Sequence, residues 1–261
     1  MNFSSNLSSL LTSALLSITF YAQAQTQVVK TPRVSPQASV SQLLGITEIT
    51  INYSRPAVRG REIWGDLVPY GMKNPGWGTA TSAPWRAGAD ENTTIEFSTD
   101  VLINNEKVKA GKYAMFMVIN EDGSVEILLS SNHSSWGSYF FDESEVVARA
   151  NTTWEESSFT EYLTYSFEDF TQNSVYGELK WEKKSIPFEI AVDINKTVVE
   201  QLRNDLKGKA RFTYVGPMEA ANWCVNHNTN LEEALEWAEL AVSMNKQFNT
   251  LRVKSNALQA L

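Results

Sequence analysis

In the stretch Ile46-Thr47-Glu48-Ile49-Thr50-Ile51-Asn52-Tyr53, apolar and polar residues alternate with the period of a half-buried strand. Such a strand carries an apolar face that a second layer must cover. The same short-strand signal recurs at Thr93–Thr99, Lys112–Ile119, Val125–Ser130, Val146–Thr153, Thr160–Phe167, Ser174–Trp181 and Ile186–Val192. Val101–Lys109 is predicted as a hairpin turning at Asn104-Asn105, and Asn120-Glu121-Asp122-Gly123 as the turn of the next. Many short strands joined by tight turns predict a mainly β chain, an antiparallel β-sandwich or an open barrel.

Two stretches depart from this period. Ser54–Asn92 holds Pro56, Pro69, Pro75 and Pro84 among six glycines and is predicted as one long loop. A loop of that length inside a compact domain is uncommon and often functional. After Asp193 the period becomes helical. Val198, Val199, Leu202 and Leu206 share a face, and Gly208 can end that helix. Pro217 can open a second helix. Asn230 with Glu233 resembles a capping box for a third, with the stripe Leu231, Ala234, Leu235, Ala238 and Val242. Leu251, Ala257 and Leu258 suggest a fourth helix. Helical hairpins with small Ala contacts look like one tetratricopeptide-type unit, which needs a neighbour to cover its faces. The expected organisation is a signal peptide over 1–24, a linker over 25–36, a β-sandwich domain over 37–194 and a short α-helical C-terminal region over 195–261.

The signal peptide is expected because Leu10–Phe20 is apolar and Tyr21-Ala22-Gln23-Ala24 fits a small-x-small cleavage pattern, although no Lys or Arg precedes the run. Periplasmic or secreted placement follows, with no membrane insertion after cleavage. Cys224 is the only cysteine, so no internal disulfide can form. It sits in the apolar stretch Ala220–Val225, which suits a packing role. The formal net charge is -8 and no basic run occurs, which argues against a nucleic-acid partner.

Several separate motifs then carry a likeness. They are Tyr53-Ser54-Arg55-Pro56 with Arg59-Gly60-Arg61, then Leu67-Val68-Pro69-Tyr70-Gly71, then Trp85-Arg86-Ala87-Gly88-Ala89-Asp90-Glu91-Asn92-Thr93-Thr94. Ala110-Gly111-Lys112-Tyr113 and Trp136-Gly137-Ser138-Tyr139 follow in order. Together they resemble the bacterial family called domain of unknown function 2911, over roughly 35–194. The resemblance implies a secreted or periplasmic β-rich protein of Gram-negative bacteria and supplies no activity. Met72–Pro84 looks like an insertion that only some members carry, and it adds Trp77 to the loop.

The long loop is the first candidate site. Arg55, Arg59, Arg61, Lys73 and Arg86 face the loop's own Glu62, Asp66, Asp90 and Glu91, in a chain where 30 acidic residues outnumber 22 basic ones. Arginine suits bidentate capture of carboxylate, phosphate or sulfate, and Trp64, Tyr70, Trp77 and Trp85 offer flat faces. A binding site for an anionic or glycan-like small molecule is one outcome. The other is a fastened cap, with Arg paired to those carboxylates and Trp plugging the sandwich. Asn132–Glu143, with Trp136 and Tyr139, could extend the surface or fill the core. The candidate ligand-binding set is Arg55, Trp85, Arg86, Asp90, Glu91, Trp136 and Tyr139. Trp85 is expected to anchor and Arg86 to reach outward, because neighbours in an extended segment point to opposite faces.

Catalytic and cofactor signatures are sparse. His133 and His227 have no ligand-spaced partners for zinc, and no loop shows calcium spacing. No G-x-S-x-G elbow and no glycine-rich phosphate loop occurs. No cofactor is therefore expected. A carboxylate-dependent hydrolase acting on an envelope glycan or peptide would have to pair Asp90 or Glu91 with Asp142 or Glu143. Two functions stay open, that hydrolase and a binding module with the helical tail as a protein-docking element. Export would leave a mature chain beginning at about Gln25. Intact mass of protein recovered from the periplasm or medium checks this, and retention of Met1 contradicts it.

Overall fold

The computed structural model describes residues 31–261. The expected signal peptide (1–24) and linker residues 25–30 lie outside the described residues. Ten strands form two antiparallel sheets that are not closed into a barrel, followed by four α-helices. One sheet has six strands in the order β1 (Gln37–Leu44), β2 (Thr47–Ser54), β3 (Thr94–Phe97), β6 (Gly111–Ile119), β7 (Ser124–Ser130), β8 (Val146–Thr153). The other has four, in the order β5 (Glu106–Val108), β4 (Val101–Ile103), β10 (Ser174–Ala191), β9 (Glu155–Glu168). Of the two architectures the strand pattern allowed, this is the sandwich.

The alternating positions meet between the sheets. Ile49, Ile51, Ile95, Met115, Met117 and Ile127 from the first sheet share one buried cluster with Leu163, Leu179, Trp181, Phe188 and Ile190 from the second. The central strands β6 and β7 are buried on both faces. Ala114, Phe116, Val118 and Leu128 turn outward, where Ala80, Ala83 and Phe141 cover them. Two-sided burial explains the unbroken apolar run Ala114–Ile119.

Three strands depart from the sequence expectation. β1 runs opposite β2 from Gln37↔Ser54 to Leu44↔Thr47. It lies at a sheet edge, half exposed, so its alternation is faint in the sequence. β9 begins at Glu155 rather than near Thr160. β10 is one 18-residue strand rather than two. The polar run Glu182-Lys183-Lys184 that suggests a break is a pair of register shifts, with Glu182 at φ 56°. Pro187 lies beyond the last β9 pair, Ser185↔Glu155, and before the first β4 pair, Ile190↔Ile103. Its missing N–H therefore removes no bond of either ladder.

The helices follow their predicted period: α1 (Ile194–Asp205), α2 (Val215–Asn226), α3 (Leu231–Met244) and α4 (Phe248–Ala260). Asp193 caps α1 by accepting from the Lys196 amide at 3.0 Å. The capping box lies at Gln247/Thr250 before α4. Asn230 instead sits in the left-handed region and donates to the Glu233 side chain. The helices bury a cluster of their own, comprising Val199, Leu206, Ala220, Ala221, Cys224, Ala234, Trp237, Ala238 and Val253. Burial, as the largest cause, pushes the Cys224 thiol up to about 11. No helix among the described residues is long and apolar enough to cross a membrane.

Arg203 of α1 donates to Glu233 of α3 at 2.8 Å, which holds that carboxyl below its ordinary range. A depressed carboxylate contributes stability above its unfolded pKa of about 4.3 and loses it as pH falls through the folded value. Glu233→Gln should therefore cost ~0.5–1 kcal/mol at neutral pH, the ordinary size of a partly exposed pair. The difference from the parent should vanish in acid below the carboxylate range. Denaturant titrations at pH 7 and pH 3 check this.

Candidate functional site

The segment between β2 and β3 is fastened to both sheets. Pro56 O accepts from the Leu163 amide at 3.0 Å, and the Val58 amide donates to Glu161 O at 2.8 Å. These bonds cover the outer edge of β9, which would otherwise present unpaired groups. Further along, Trp85 and Met117 exchange both backbone bonds, at 2.9 and 2.8 Å. Lys73 and Ala83 do the same at 3.0 and 2.8 Å. The Ser138 hydroxyl donates to Pro84 O at 2.6 Å. Beneath the segment, the buried Tyr165 hydroxyl and the Thr93 hydroxyl both donate to Ala87 O, at 2.9 and 3.0 Å. Burial holds the Tyr165 hydroxyl well above the usual phenol range, so it stays a donor.

This path encloses a cavity of about 630 Å³, within the size range of small-molecule sites. One wall is aromatic. Trp85 stacks on Trp181 at 6.1 Å and 15°, with the edge of Trp64 behind them. Tyr139 lines the cavity as well.

Cations are concentrated in the lining as well. Arg59, Arg61, Lys73 and Arg86 line the cavity, and Asp90 is the one carboxylate residue among its lining residues. Among the described residues, none of those four cations has a carboxylate within ion-pair distance. Their side-chain partners are neutral. Arg61 donates to Ala57 O and Val58 O. Arg86 donates to Asp90 O at 2.8 Å and lies 4.9 Å from the centre of the Tyr139 ring. Carbonyls orient a guanidinium without cancelling its charge, and among the described residues most Arg86 donors have no protein partner.

Backbone geometry shapes this wall. Arg59, Ala87 and Asp90 are non-glycine residues at positive φ, of 49°, 49° and 60°. Such conformations carry strain and cluster at functional sites. Gly137 stands at φ 58°, and a Cβ there would lie 2.4 Å from Arg86 Cζ. A side chain at 137 would force the guanidinium to shift from its present place.

Of the candidate residues, Trp85, Arg86, Asp90 and Tyr139 come together around the cavity, and Arg55, Glu91 and Trp136 do not line it. Arg55 donates to Leu163 O at 2.9 Å and to the Thr164 hydroxyl at 2.6 Å, so it fastens the loop to β9. Glu91 accepts from Arg33 at 2.9 and 2.7 Å, which holds its carboxyl below the usual range. Trp136 is 49% exposed. Trp85 packs against the inter-sheet core, and Arg86, expected to reach outward, lies half-buried over Tyr139.

Other lining residues escaped the candidate set. Arg59, Arg61 and Lys73 belong to the arginine-rich loop, but nothing in the sequence separates them from Arg55. Trp181 comes from β10, and its strand pattern marks it only as core. Residues 33–36, expected as the end of a linker, are bound to the body. Arg33 also lies 3.1 Å from Asp90, Pro36 O accepts from the Arg55 amide at 2.9 Å, and Val34 and Ser35 line the cavity.

The carboxylates nominated for hydrolysis are dispersed. Asp142 accepts from the Ser144 hydroxyl and amide at 2.7 and 2.9 Å, which lower its pKa, and Glu143 pairs with Arg149. Neither lines the cavity. Among the described residues no three His, Cys, Asp or Glu side chains converge as a metal site would require.

The family described as a protein of unknown function (DUF2911) matches residues 35–190, more than half of the chain, and the chain belongs to that family. The matched stretch holds every cavity-lining residue except Val34. No curated protein and no solved structure matches the chain.

Gly137→Ala should be destabilising for two separable reasons. An alanine at this φ costs ~1–2 kcal/mol by itself, and displacing the Arg86 guanidinium adds to that. In an Arg86→Ala background the second contribution should disappear. A double-mutant cycle by denaturant titration checks this, with equal losses in both backgrounds contradicting the contact.

Proposed function

We propose that this member of the DUF2911 family is a binding module, secreted or periplasmic in a Gram-negative bacterium, whose cavity takes a small anionic ligand bearing a ring. One observation carries the proposal. Four cationic side chains line a cavity in an acidic chain and have no ion-pair carboxylate among the described residues. Arg55, which fastens the loop, has its donors taken by a carbonyl and a hydroxyl, whereas among the described residues Arg86 makes one side-chain hydrogen bond, to Asp90 O. An anion would meet guanidinium donors beside the half-buried Trp85, against which a ring can pack.

Two further parts of the proposal rest on the sequence. The leader-like first residues support export. The helical tail, with its own core and its Ala-rich contacts, supports a tetratricopeptide-like protein-docking role. A carboxylate-dependent hydrolase of an envelope glycan or peptide is the weaker alternative, because only Asp90 of its four nominated carboxylates lines the cavity.

Titration of the 25–261 chain with galacturonate and citrate, followed by tryptophan fluorescence, tests the proposal. Both anions should perturb Trp85 and Trp181 emission, glucose should not, and added salt should weaken the effect. Arg86→Ala should weaken anion binding by ~1.5–3 kcal/mol, the size of a hydrogen bond to a charged group. Equal responses to glucose and galacturonate would overturn the proposal.

A further inference from the structure

Beside the cavity stands an aromatic surface that the anion site does not use. Lys73, Asn74 and Pro75 line the cavity, and two residues further on Trp77 is 61% exposed. Gly76 and Gly78, at φ 74° and 80°, flank it. A Cβ on Gly78 would lie 2.1 Å from Tyr139 O, the same atom that accepts from the Thr79 and Ala80 amides at 3.0 and 3.1 Å. The backbone carrying Trp77 is thus clamped. The indole is braced edge-on by Tyr139 at 5.2 Å and Phe140 at 5.4 Å. Tyr139 also carries the Arg86 guanidinium 4.9 Å from its ring centre. A single aromatic ring therefore separates the cationic cavity from a fixed, exposed tryptophan.

Given the anion-binding reading above, we propose that the ligand is an acidic oligosaccharide. One charged sugar would enter the Arg/Lys cavity while a neighbouring sugar of the same chain stacks on Trp77. A monomeric anion would leave Trp77 without a role, whereas a chain of anionic pyranoses offers a charge and a flat C–H face in adjacent units. The rim disfavours an extended acidic peptide, because residues 74–82 form no strand and so offer no sheet edge for a peptide to join. The shared chemistry covers carboxylated and sulfated chains.

Calorimetric titration of the 25–261 chain with galacturonate, with linear oligogalacturonates of increasing length, with sulfated galactan oligomers and with polyglutamate tests this. A charged oligosaccharide should bind about 10-fold or more tightly than galacturonate, equivalent to ~1.4 kcal/mol. Trp77→Ala should remove most of that gain and leave galacturonate affinity unchanged, while Trp77→Phe should keep part of it. Arg86→Ala should weaken monomer and oligomer alike. If galacturonate binds but oligomers bind no better, or their gain survives Trp77→Ala, this inference is overturned and the anion cavity stands. A Trp77-dependent gain seen with polyglutamate and with no oligosaccharide also overturns it. If neither galacturonate nor any oligomer binds, the anion-binding reading itself fails, and the inference with it.

Discussion

The two backbone bonds between Trp85 and Met117 hold the cavity wall in place. Met117 lies in the second half of β6, fully buried between the sheets. Pairing Trp85 to it draws a loop residue against the core and gives its indole a fixed partner in Trp181. The neighbouring Arg86 is then carried to the cavity, and Gly137 leaves room for its guanidinium. Lys73↔Ala83 and Pro56–Val58 extend the same device, in which backbone pairing rather than side-chain packing fixes the path of the long loop. Pairing also meets the hydrogen-bonding needs that a buried loop would otherwise leave open.

Charge is distributed to match. Where the loop needs fastening, carbonyls, hydroxyls and the Arg33 clamp supply it, through Arg55 on β9 and Arg33 on Asp90 and Glu91. Where the cavity opens, the cations retain their charge. The arginine-rich loop is therefore divided between fastening and lining: Arg55 ties it to β9, whereas Arg86 lines the cavity and, among the described residues, makes one side-chain hydrogen bond, to Asp90 O.

The helical region solves a different problem. A short helical hairpin cannot bury its own faces, yet α1 to α4 share a cluster built on small residues, Ala220, Ala221, Ala234, Ala238 and Cys224. Small side chains let the helices approach closely, and the lone thiol serves as one of those contacts. The Arg203–Glu233 pair ties the first helix to the third.

Periodicity made the strands and helices legible, because burial on one face writes a period of two or 3.6 into the residues themselves. It weakened where burial changes. The half-exposed β1 left little trace, and the register shifts in β10 looked like a chain break. The position of the long loop was legible too, as an interruption rich in Pro, Gly and Arg. Membership of the cavity was not, since Arg55 and Arg86 are chemically identical. The choice between them falls to contacts with β9 and Gly137, which lie from 51 to 109 residues away in sequence. The sequence by itself determined a mainly β chain with a helical tail and an arginine-rich interruption, because local period and composition encode these directly, and it left sandwich or barrel to the tertiary structure. Only the tertiary structure decided which arginines fasten and which line the cavity, because a cation's role depends on the atoms that distant parts of the chain bring against it.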